Sequence, residues 1–413
     1  MADGNVTGRV PRWSWAAVCA RRLERHALSA PVRPAAAGTD GQAGPDMGAA
    51  VADVVGRMCG AHAQIITAAE LSAGLRIEGA TRADVRDALW RSRTCVKTRG
   101  PRGTVHLLPA ADLPLWTRAL SALPPPDPLP GDAGMTREQC EEVVAAIADT
   151  LAGAELTVAE LTGAIADRVG SWAADPVMDA FQAKWPRWRQ MERLASDRGA
   201  MCFGPARGRN VTYTSPARWL PGFQPVADPA GDPDAGRDAL GELLRRYLWS
   251  YGPATPAWFA RWLGASKTLA ASLLTGLGDR VVPVEVEGDP AWALAEDATP
   301  PDPAPDGLRL LPYFDAYTVG CHPRALLFPG PAAARALAGS QAGNFPVLLI
   351  DGTVAGVWHQ RRSGRRAEVT VEPLVPLRAA QRRALDEQAG RVGEILEVTP
   401  RLTVGPVTVG AHA

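Results

Sequence analysis

Residues 59–75, with the sequence CGAHAQIITAAELSAGL, contain the pattern that decides the fold. Thr67 stands ahead of a short run with apolar periodicity, and Glu70 follows it three residues later. This spacing is that of a capping box, in which the two side chains bond the free amides at the start of a helix. The same spacing recurs in LTVAELTGAI, residues 156–165. The sequence therefore predicts two helices that begin in the same way.

A third helix start is predicted in ATPAWFARWLG, residues 254–264. Here Thr255 is followed by Pro256, an arrangement that suits the capping position and the first turn of a helix. The threonines at 67, 157 and 255 are separated by 90 and 98 residues. These separations suit one small module each, so the chain is predicted to contain an internal repeat.

The surroundings of each start repeat as well. An amphipathic helix is predicted before each start, in AAVADVVGRMCG, REQCEEVVAAIADTL and RDALGELLRRYLWSYG. A second helix is predicted after each start, in TRADVRDALWRS, in a longer stretch around FQAKWPRWRQMERLASD, and in SKTLAASLLTGLG. Alternating, turn-punctuated stretches then indicate hairpins, in TCVKTRGPRGTVHLL, GAMCFGPARGRNVTYTS and DRVVPVEVEGDPAWALA.

This order of helices and hairpin is that of a winged-helix module, whose helix-turn-helix geometry can place a helix in a DNA groove. The predicted fold class is therefore α+β, with three tandem winged-helix domains and a C-terminal β-domain. The predicted boundaries are 1–47 for an N-terminal extension and helix, 48–125, 134–225 and 236–300 for the three winged helices, and 308–413 for the β-domain. Winged helices also serve as protein-binding or architectural units, so the pattern alone leaves DNA binding open.

The composition indicates a soluble protein with several cores. The chain has 413 residues, of which 46% are hydrophobic and 21% charged, and no apolar run approaches the roughly 20 residues that span a bilayer. The N-terminus does not resemble a secretory signal, so a cytoplasmic, nucleoid-associated location is expected. Six cysteines without a C-x-x-C pair predict free thiols and no metal site.

The charges must be judged by their clustering, because 44 basic residues balance 44 acidic ones. A zero net charge counts mildly against nucleic acid as a partner. Two predicted hairpin tips, KTRGPRG (97–103) and PARGRN (205–210), concentrate arginine and glycine. Such tips suit a wing that lies on phosphate, and Arg102 is the candidate DNA-binding residue in the first. For either tip alone, a solvated polar turn is an equally good interpretation.

The C-terminal region has a different character. The Pro/Asp-rich stretch 296–307 is predicted to be a linker or long loop. Beyond it, residues 344–374 alternate like strands around turns at Asp351-Gly352 and Ser363-Gly364. The second turn is flanked by four candidate DNA-binding residues, Arg361, Arg362, Arg365 and Arg366. Because four arginines at one tip repel each other unless they meet anions, phosphate contact is favoured over a solvated loop.

Four spaced motifs carry a family resemblance. They are RGTVHLLP (102–109), YGPATPAWFARWLG (251–264), LLPYFDAYTVG (310–320) followed by Arg324, and VLLIDGTVAGVW (347–358). Together they resemble the winged-helix DNA glycosylases of the AlkZ and YcaQ kind over residues 10–400. The resemblance implies a monofunctional enzyme that removes N-alkylated purines, including bulky genotoxin adducts and some interstrand crosslinks. It also implies double-stranded DNA containing alkylated purines as the partner, a monomer, and no cofactor.

The resemblance also implies that the HAQ sequence at residues 62–64 corresponds to a short motif of that family. Members of that family carry a Gln-x-Gln or Gln-x-Asp motif in the first winged helix; Gln64 matches its second position, and His62 stands where glutamine is more usual. A His-x-Gln variant resembles the branch associated with bulky antibiotic adducts. Pro323 is a second departure, because the family often carries an acidic residue just before the arginine matched by Arg324.

The chemistry of His62 and Gln64 can be argued from the residues alone. Alkylation at purine N7 or N3 leaves a cationic base, which is already a good leaving group. The site must then supply a positioned water and stabilise an oxocarbenium-like sugar. The Gln64 amide can hold a water, and neutral His62 can accept its proton, provided that the backbone between them is extended. Hydrogen-bonded packing residues are the alternative, but no HAQ counterpart precedes Thr157 or Thr255.

Other candidates are weaker. Asp315 could orient an active-site group, although a capped or salt-bridged aspartate is commoner, and Arg324 is placed with it as a supporting residue. His106 is as suited to supporting the first hairpin as to touching DNA. None of the three lysines lies in a catalytic motif, which disfavours a Schiff-base lyase step. The alternative function is a winged-helix DNA-binding protein, such as a transcriptional regulator, without catalysis.

Overall fold

The computed structural model describes residues 10–36, 44–125, 129–179, 184–302 and 307–412. The first nine residues and residues 37–43 of the predicted N-terminal extension lie outside this range, as do 303–306 of the predicted linker. The described chain mixes helices with small sheets, as the predicted α+β class requires.

The N-terminal part and the first segment contain the motif of residues 62–64. Their elements are β1 (Arg12–Trp13), α1 (Trp15–Arg25), α2 (Met47–Arg57), β2 (Ala61–His62), α3 (Ile66–Gly74), α4 (Arg82–Trp90), β3 (Cys95–Arg99), β4 (Val105–Pro109) and α5 (Leu113–Ser121). Strands β2, β4 and β3 form an antiparallel sheet in that order. The short strand β2 therefore fixes the residues just before α3 against β4.

The second segment repeats this order with one insertion. Its elements are α6 (Arg137–Ala152), β5 (Leu156–Thr157), α7 (Val158–Val169), β6 (Pro176–Asp179), β7 (Lys184–Pro186), α8 (Glu192–Asp197), β8 (Cys202–Arg207) and β9 (Asn210–Thr214). Strands β5, β9 and β8 form a sheet that corresponds to the sheet of the first segment. Strands β6 and β7 form a separate two-stranded sheet.

The prediction of a long helix over residues 181–197 is wrong for its described part. Residues 184–186 form strand β7, residues 187–191 form a 3-10 turn, and only Glu192–Asp197 is α-helical. Pro186 explains the break, because proline lacks the amide that a helix interior needs and restricts the residue before it.

The third segment comprises α9 (Pro233–Tyr251), α10 (Pro256–Leu263), α11 (Lys267–Gly276), β10 (Val281–Val286) and β11 (Asp289–Leu294). Thr255 caps α10 through its hydroxyl, and Pro256 occupies the first turn, as predicted. Strand β1 adds to this hairpin in parallel with β10, so the N-terminus of the described chain is fixed to the third segment.

The C-terminal region is built on a five-stranded sheet. Its elements are β12 (Leu308–Leu311), α12 (Ala316–Gly320), α13 (Arg324–Leu327), α14 (Pro331–Ala336), β13 (Val347–Ile350), β14 (Thr353–Ser363), β15 (Arg366–Pro373), α15 (Ala379–Leu396) and β16 (Thr399–Val404). The strands follow the order β12-β13-β14-β15-β16, with only the last pair parallel. The prediction of a β-domain missed α15, which packs across the first segment: Ile395 lies against Gly74.

The two turns of this sheet follow their sequences closely. Asp351 and Gly352 both have positive φ, 50° and 79°, as a two-residue hairpin with an Asp-Gly turn requires. The second turn is displaced by one residue from the prediction: Ser363 pairs with Arg366, so Gly364 and Arg365 form the turn. Gly364 has φ 57°, which explains why glycine opens it.

The capping box predicted at Thr67 is wrong, whereas the one predicted in residues 156–165 is confirmed. Thr157 and Glu160 bond each other's backbone amides at the start of α7. Helix α3 instead begins at Ile66, and Thr67 makes no cap. Glu70 does not complete the predicted capping box, because its buried carboxylate instead accepts hydrogen bonds of 2.6 and 3.2 Å from Arg86.

Two large apolar cores hold the segments together. One core joins the first and second segments, and the other joins α9–α11 to the C-terminal sheet and α15. All six cysteines are free, as predicted. In the described ranges, no helix combines the length and the hydropathy needed to cross a lipid bilayer.

Candidate active site

A pocket of about 410 Å³ opens where the first segment, the third segment and the C-terminal region meet. Its size falls in the roughly 300–1,000 Å³ range of small-molecule pockets. The first segment contributes His62, Arg102 and Thr104 to its lining. Helix α10 and the C-terminal region contribute most of the rest, including Arg261, Trp262, Phe314, His322, Arg324 and Asn344. The pocket therefore brings together residues that lie more than 250 positions apart.

His62 forms part of this wall through strand β2, where it pairs with His106. Its ring stacks on Phe314, with ring centres 4.7 Å apart and planes inclined by 27°, and it meets the edge of His106 at 5.3 Å. Nδ1 of His62 is buried and has no hydrogen-bond partner among the described residues. Burial, helped by the nearby charge of Arg102, lowers the pKa of His62 to about 4. The imidazole is therefore uncharged at neutral pH.

Phe314 reaches His62 from a fixed turn. Its φ is 53°, a left-handed conformation that is rare for a bulky side chain. Its amide donates to the carbonyl of Gly343 at 2.9 Å. The next residue, Asp315, is anchored in the protein interior, so the turn is held on both sides.

Asp315 is the anchor that connects this turn to α3. Arg76, just beyond the end of α3, donates to both carboxylate oxygens at 2.8 and 2.9 Å, and Ser72 of α3 donates at 2.7 Å. Both charged side chains are fully buried. Burial raises the pKa of Asp315, but Arg76 and the hydrogen bonds lower it more, so the net pKa lies below its usual value. Asp315 also caps α12 by accepting from the Tyr317 amide at 3.0 Å. Asp315 therefore has the environment of a structural aspartate, both salt-bridged and capping a helix, which the sequence analysis gave as the alternative to a group that orients the active site.

Gln64 does not line the pocket. It lies two residues after His62, at the bend that precedes α3, and its side chain is exposed. Ala63 between them is buried and donates its amide to the Val105 carbonyl at 2.7 Å. The structure thus brings His62 into the pocket wall and leaves Gln64 at the surface beside it.

The pocket lining also contains a histidine, His322, that the sequence pattern did not single out. His322 lies 5.6 Å from Trp258 of α10 in a stacked arrangement. Its carbonyl accepts from the buried guanidinium of Arg22 at 2.7 Å. Burial and the surrounding arginine charges lower the pKa of His322 to about 3, so it too is neutral. Its position directly before Pro323 and Arg324, at the end of a recognised motif, was the only signal in the sequence.

The arginine predicted at the first hairpin tip is turned into the pocket. Arg102 has φ 59° and its guanidinium donates to the carbonyl of Trp262 on α10. Burial lowers its pKa. Arg324 donates to three carbonyls at the end of α12, including Val319 at 2.6 Å and Cys321 at 2.9 Å. Both arginines therefore brace backbone as well as lining the cavity.

His106 supports the hairpin. Its Nδ1 lies 2.8 Å from the Thr104 carbonyl, and burial lowers its pKa well below the usual value. In the second hairpin tip, Arg207 is paired with the capping residue Glu160. That pairing removes one of the two arginines that made this tip a candidate phosphate contact.

The four arginines of the β14–β15 turn are all exposed and form no ion pair within the described ranges. Arg361 pairs with Glu368, Arg362 with Ala367 and Ser363 with Arg366. Because paired residues share a face and neighbours alternate, Arg361 and Arg366 point to one side and Arg362 to the other. Their mutual repulsion is therefore less than four charges on one surface would produce.

Comparison with known proteins identifies the class. The pattern of the AlkZ-like DNA glycosylase family matches residues 55–395. The chain belongs to this family, and it is a DNA glycosylase that acts in DNA repair. The resemblance drawn from the four sequence motifs is thereby confirmed.

Two similar proteins come from one organism. The chain is 30% identical over 400 residues to the interstrand DNA cross-link repair glycosylase of Streptomyces sahachiroi, covering 92% of this chain and 95% of that protein. The solved structure of the Streptomyces sahachiroi DNA glycosylase AlkZ superposes with a TM-score of 0.74 at 27% identity, covering 95% of this chain and all of the other. The likeness thus extends over nearly the whole length of both proteins.

Proposed function

We propose that this glycosylase hydrolyses the N-glycosidic bond of N-alkylated purines, in particular bulky N7-alkylguanine adducts, with His62 and Gln64 as its catalytic residues. The observation that carries this proposal is the placement of His62: an uncharged imidazole, stacked on Phe314, in the wall of a pocket. A relative named for interstrand crosslink repair supports large lesions as the substrate class.

The low pKa of His62 defines its role. A base with a pKa of about 4 accepts a full proton weakly at neutral pH, but a ring nitrogen that carries no proton can still accept a hydrogen bond from water. That suffices for a cationic purine, whose departure needs an oriented water more than a strong base. Gln64, exposed beside His62, is proposed to bind this water or the lesion strand once DNA covers the bend.

The DNA-binding surface is proposed to include three winged-helix domains at 48–125, 134–225 and 236–300. Support comes from the two corresponding three-stranded sheets and from the helix pairs that precede each hairpin. The exposed arginines of the β14–β15 turn are proposed to bind backbone phosphates. Arg102 is proposed to act at the pocket rather than on a distant phosphate, since it lines the cavity.

The direct test is base release from duplex DNA that carries N7-alkylguanine. The wild-type protein is expected to release the adduct and leave abasic sites. His62→Ala is expected to slow single-turnover release by about 10²-fold, the lower end of what a positioned proton acceptor contributes, with DNA binding retained. No release by the wild-type protein would end the proposal, and full activity of His62→Ala would remove His62 from it.

The pH dependence of base release distinguishes the wild-type protein, with a histidine at position 62, from a variant with a glutamine there. Release should be constant from pH 8 to 5 and fall below pH 4, because protonation of His62 removes its acceptor. His62→Gln, which restores the residue more usual in the family, should retain much of the activity without that acid limb. An acid limb of the same midpoint in His62→Gln would assign it to another group.

The hairpin is tested by binding rather than by catalysis. Arg362→Ala with Arg365→Ala should weaken DNA binding and reduce the slope of log K against log salt by about 0.9 for each phosphate that is no longer neutralised. The wild-type salt slope in this double variant would contradict the assignment.

A further inference from the structure

The pocket around His62 has an unbalanced charge. Three arginines line it, Arg102, Arg261 and Arg324, and no aspartate or glutamate is among its described lining residues. His62 and His322 are neutral, so they add no charge of either sign. The cavity is therefore strongly positive.

Carboxylates nearby do not compensate these charges. Asp315 is the residue after Phe314, but both of its oxygens are bonded to Arg76. Arg102 and Arg324 donate to backbone carbonyls, which carry no net charge.

Arg261 differs from the other two arginines. It lies on the exposed side of α10, and it has no ion pair or side-chain hydrogen bond in the described ranges. Trp258, three residues before it, stacks on His322, and Trp262, the next residue, lines the pocket. The helix therefore directs one unpaired guanidinium towards the cavity mouth.

The three guanidinium groups are close enough to affect one another. Burial lowers the pKa of Arg324 to about 10, and the charges of Arg261 and Arg102 act in the same direction. Bringing like charges together in a partly dry cavity costs free energy that an anionic ligand can recover. A cationic alkylated purine would be repelled by the same charges, whereas a phosphate would be attracted and bound by guanidinium donors.

We propose that the pocket binds a backbone phosphate of the lesion strand, with Arg261 and Arg102 as its main ligands. This inference rests on the proposed function, since it places the sugar next to that phosphate beside His62. The polar residues Ser340, Gln341 and Asn344 on the C-terminal side of the cavity add neutral hydrogen-bonding groups around the phosphate. A phosphate held there also provides negative charge next to the oxocarbenium-like sugar, which the described lining residues of the pocket do not supply.

The test is a double-mutant cycle between protein and DNA. Each phosphate within three nucleotides of an N7-alkylguanine is replaced in turn by an uncharged methylphosphonate, and each duplex is assayed with the wild-type protein and Arg261→Gln. Arg261→Gln is expected to reduce release about tenfold, in line with the removal of a hydrogen bond to a charged group. Arg383→Gln, at an exposed arginine of α15 outside the proposed winged helices, the pocket and the β14–β15 turn, is the matched control and should change neither rate nor binding.

At one phosphate position, the effects of Arg261→Gln and of the methylphosphonate should be non-additive: once the charge is gone from the DNA, the variant should cause little further loss of rate. Additive effects at every position, or an Arg261→Gln variant that behaves like Arg383→Gln, would overturn the phosphate site. The effect of Arg102→Lys should be non-additive with the methylphosphonate at the same position. This second variant excludes the interpretation that Arg261→Gln only disturbs the structure around position 261.

The same cycle is measured in DNA affinity, which needs no base release. If the wild-type protein binds the duplex but releases no adduct, the proposed function fails, while coupling in Kd still supports the phosphate site. If release is normal and no coupling appears in either rate or Kd, the proposed function stands and the phosphate site fails.

Discussion

Helices α3 and α7 start from nearly the same sequence, ITAAEL and LTVAEL, yet they occupy different environments. Helix α7 lies at the surface, with only Leu161 and Ile165 buried, and Thr157 and Glu160 cap it locally. Helix α3 is buried from Ala68 to Gly74 and has no side-chain cap. One helix is stabilised by its own sequence, and the other by what surrounds it.

The surroundings of α3 explain the difference. Its Glu70 is paired with Arg86 of α4, its Ser72 bonds Asp315, and Arg391 of α15 donates to the carbonyls of Gly74, Ile77 and Ala80. These contacts fix the helix that follows His62 and Gln64. Helix α3, which follows the HAQ sequence, is thus held by α4, by Asp315 and by α15, and it lacks a local cap.

The largest difference is expected between the ion pairs of the two helices. Asp315→Ala leaves Arg76 buried without its partner and should lower the free energy of unfolding by about 3–5 kcal/mol. Arg207→Ala removes the exposed partner of Glu160 next to α7 and should cost less than about 1 kcal/mol. Urea denaturation of the two variants measures both, and equal decreases would show that the burial of α3 does not control its stability.

Glycine replacements should give effects of opposite sign. A Cβ at Gly74 would lie 2.7 Å from Ile395 Cγ2, so Gly74→Ala should destabilise by about 1–3 kcal/mol through overpacking. A Cβ at Gly163 in α7 meets nothing within 4 Å, so Gly163→Ala should stabilise by up to about 1 kcal/mol through helix propensity. Thermal unfolding would reveal the signs, and a stabilising Gly74→Ala would contradict the packing of α3 against α15.

The smallest effects concern the threonines. Thr157→Ala removes the cap of α7 and should cost about 1 kcal/mol. Thr67→Ala removes an exposed side chain inside the first turn of α3 and should change stability by less than about 0.5 kcal/mol. Equal costs in urea denaturation would mean that Thr67 does cap α3 in solution.

Features that depend on residues near one another in the chain could be predicted from the sequence, whereas the difference between the two helices could not. The helix before each start, the caps at Thr157 and Thr255, and the Asp351-Gly352 turn depend on contacts within a few residues, and the structure contains all of them. His62 was also found from sequence, because its motif has no counterpart in the other repeats. The prediction at Thr67 failed because Arg86, sixteen positions after Glu70, bonds the carboxylate that the cap required.

The sequence by itself determined the α+β class, the capped helix starts at Thr157 and Thr255, the family and the residues of the HAQ motif, since each depends on local spacing or on matching motifs. Only the tertiary structure decided that His62 stacks on Phe314, that Arg102 turns into the cavity and that His322 faces it. These contacts join residues up to 252 positions apart, as with His62 and Phe314, and buried pairs such as Arg76 with Asp315 hold them in place. No local pattern encodes which distant partner satisfies a buried charge, because that choice is made by the packing of the whole chain.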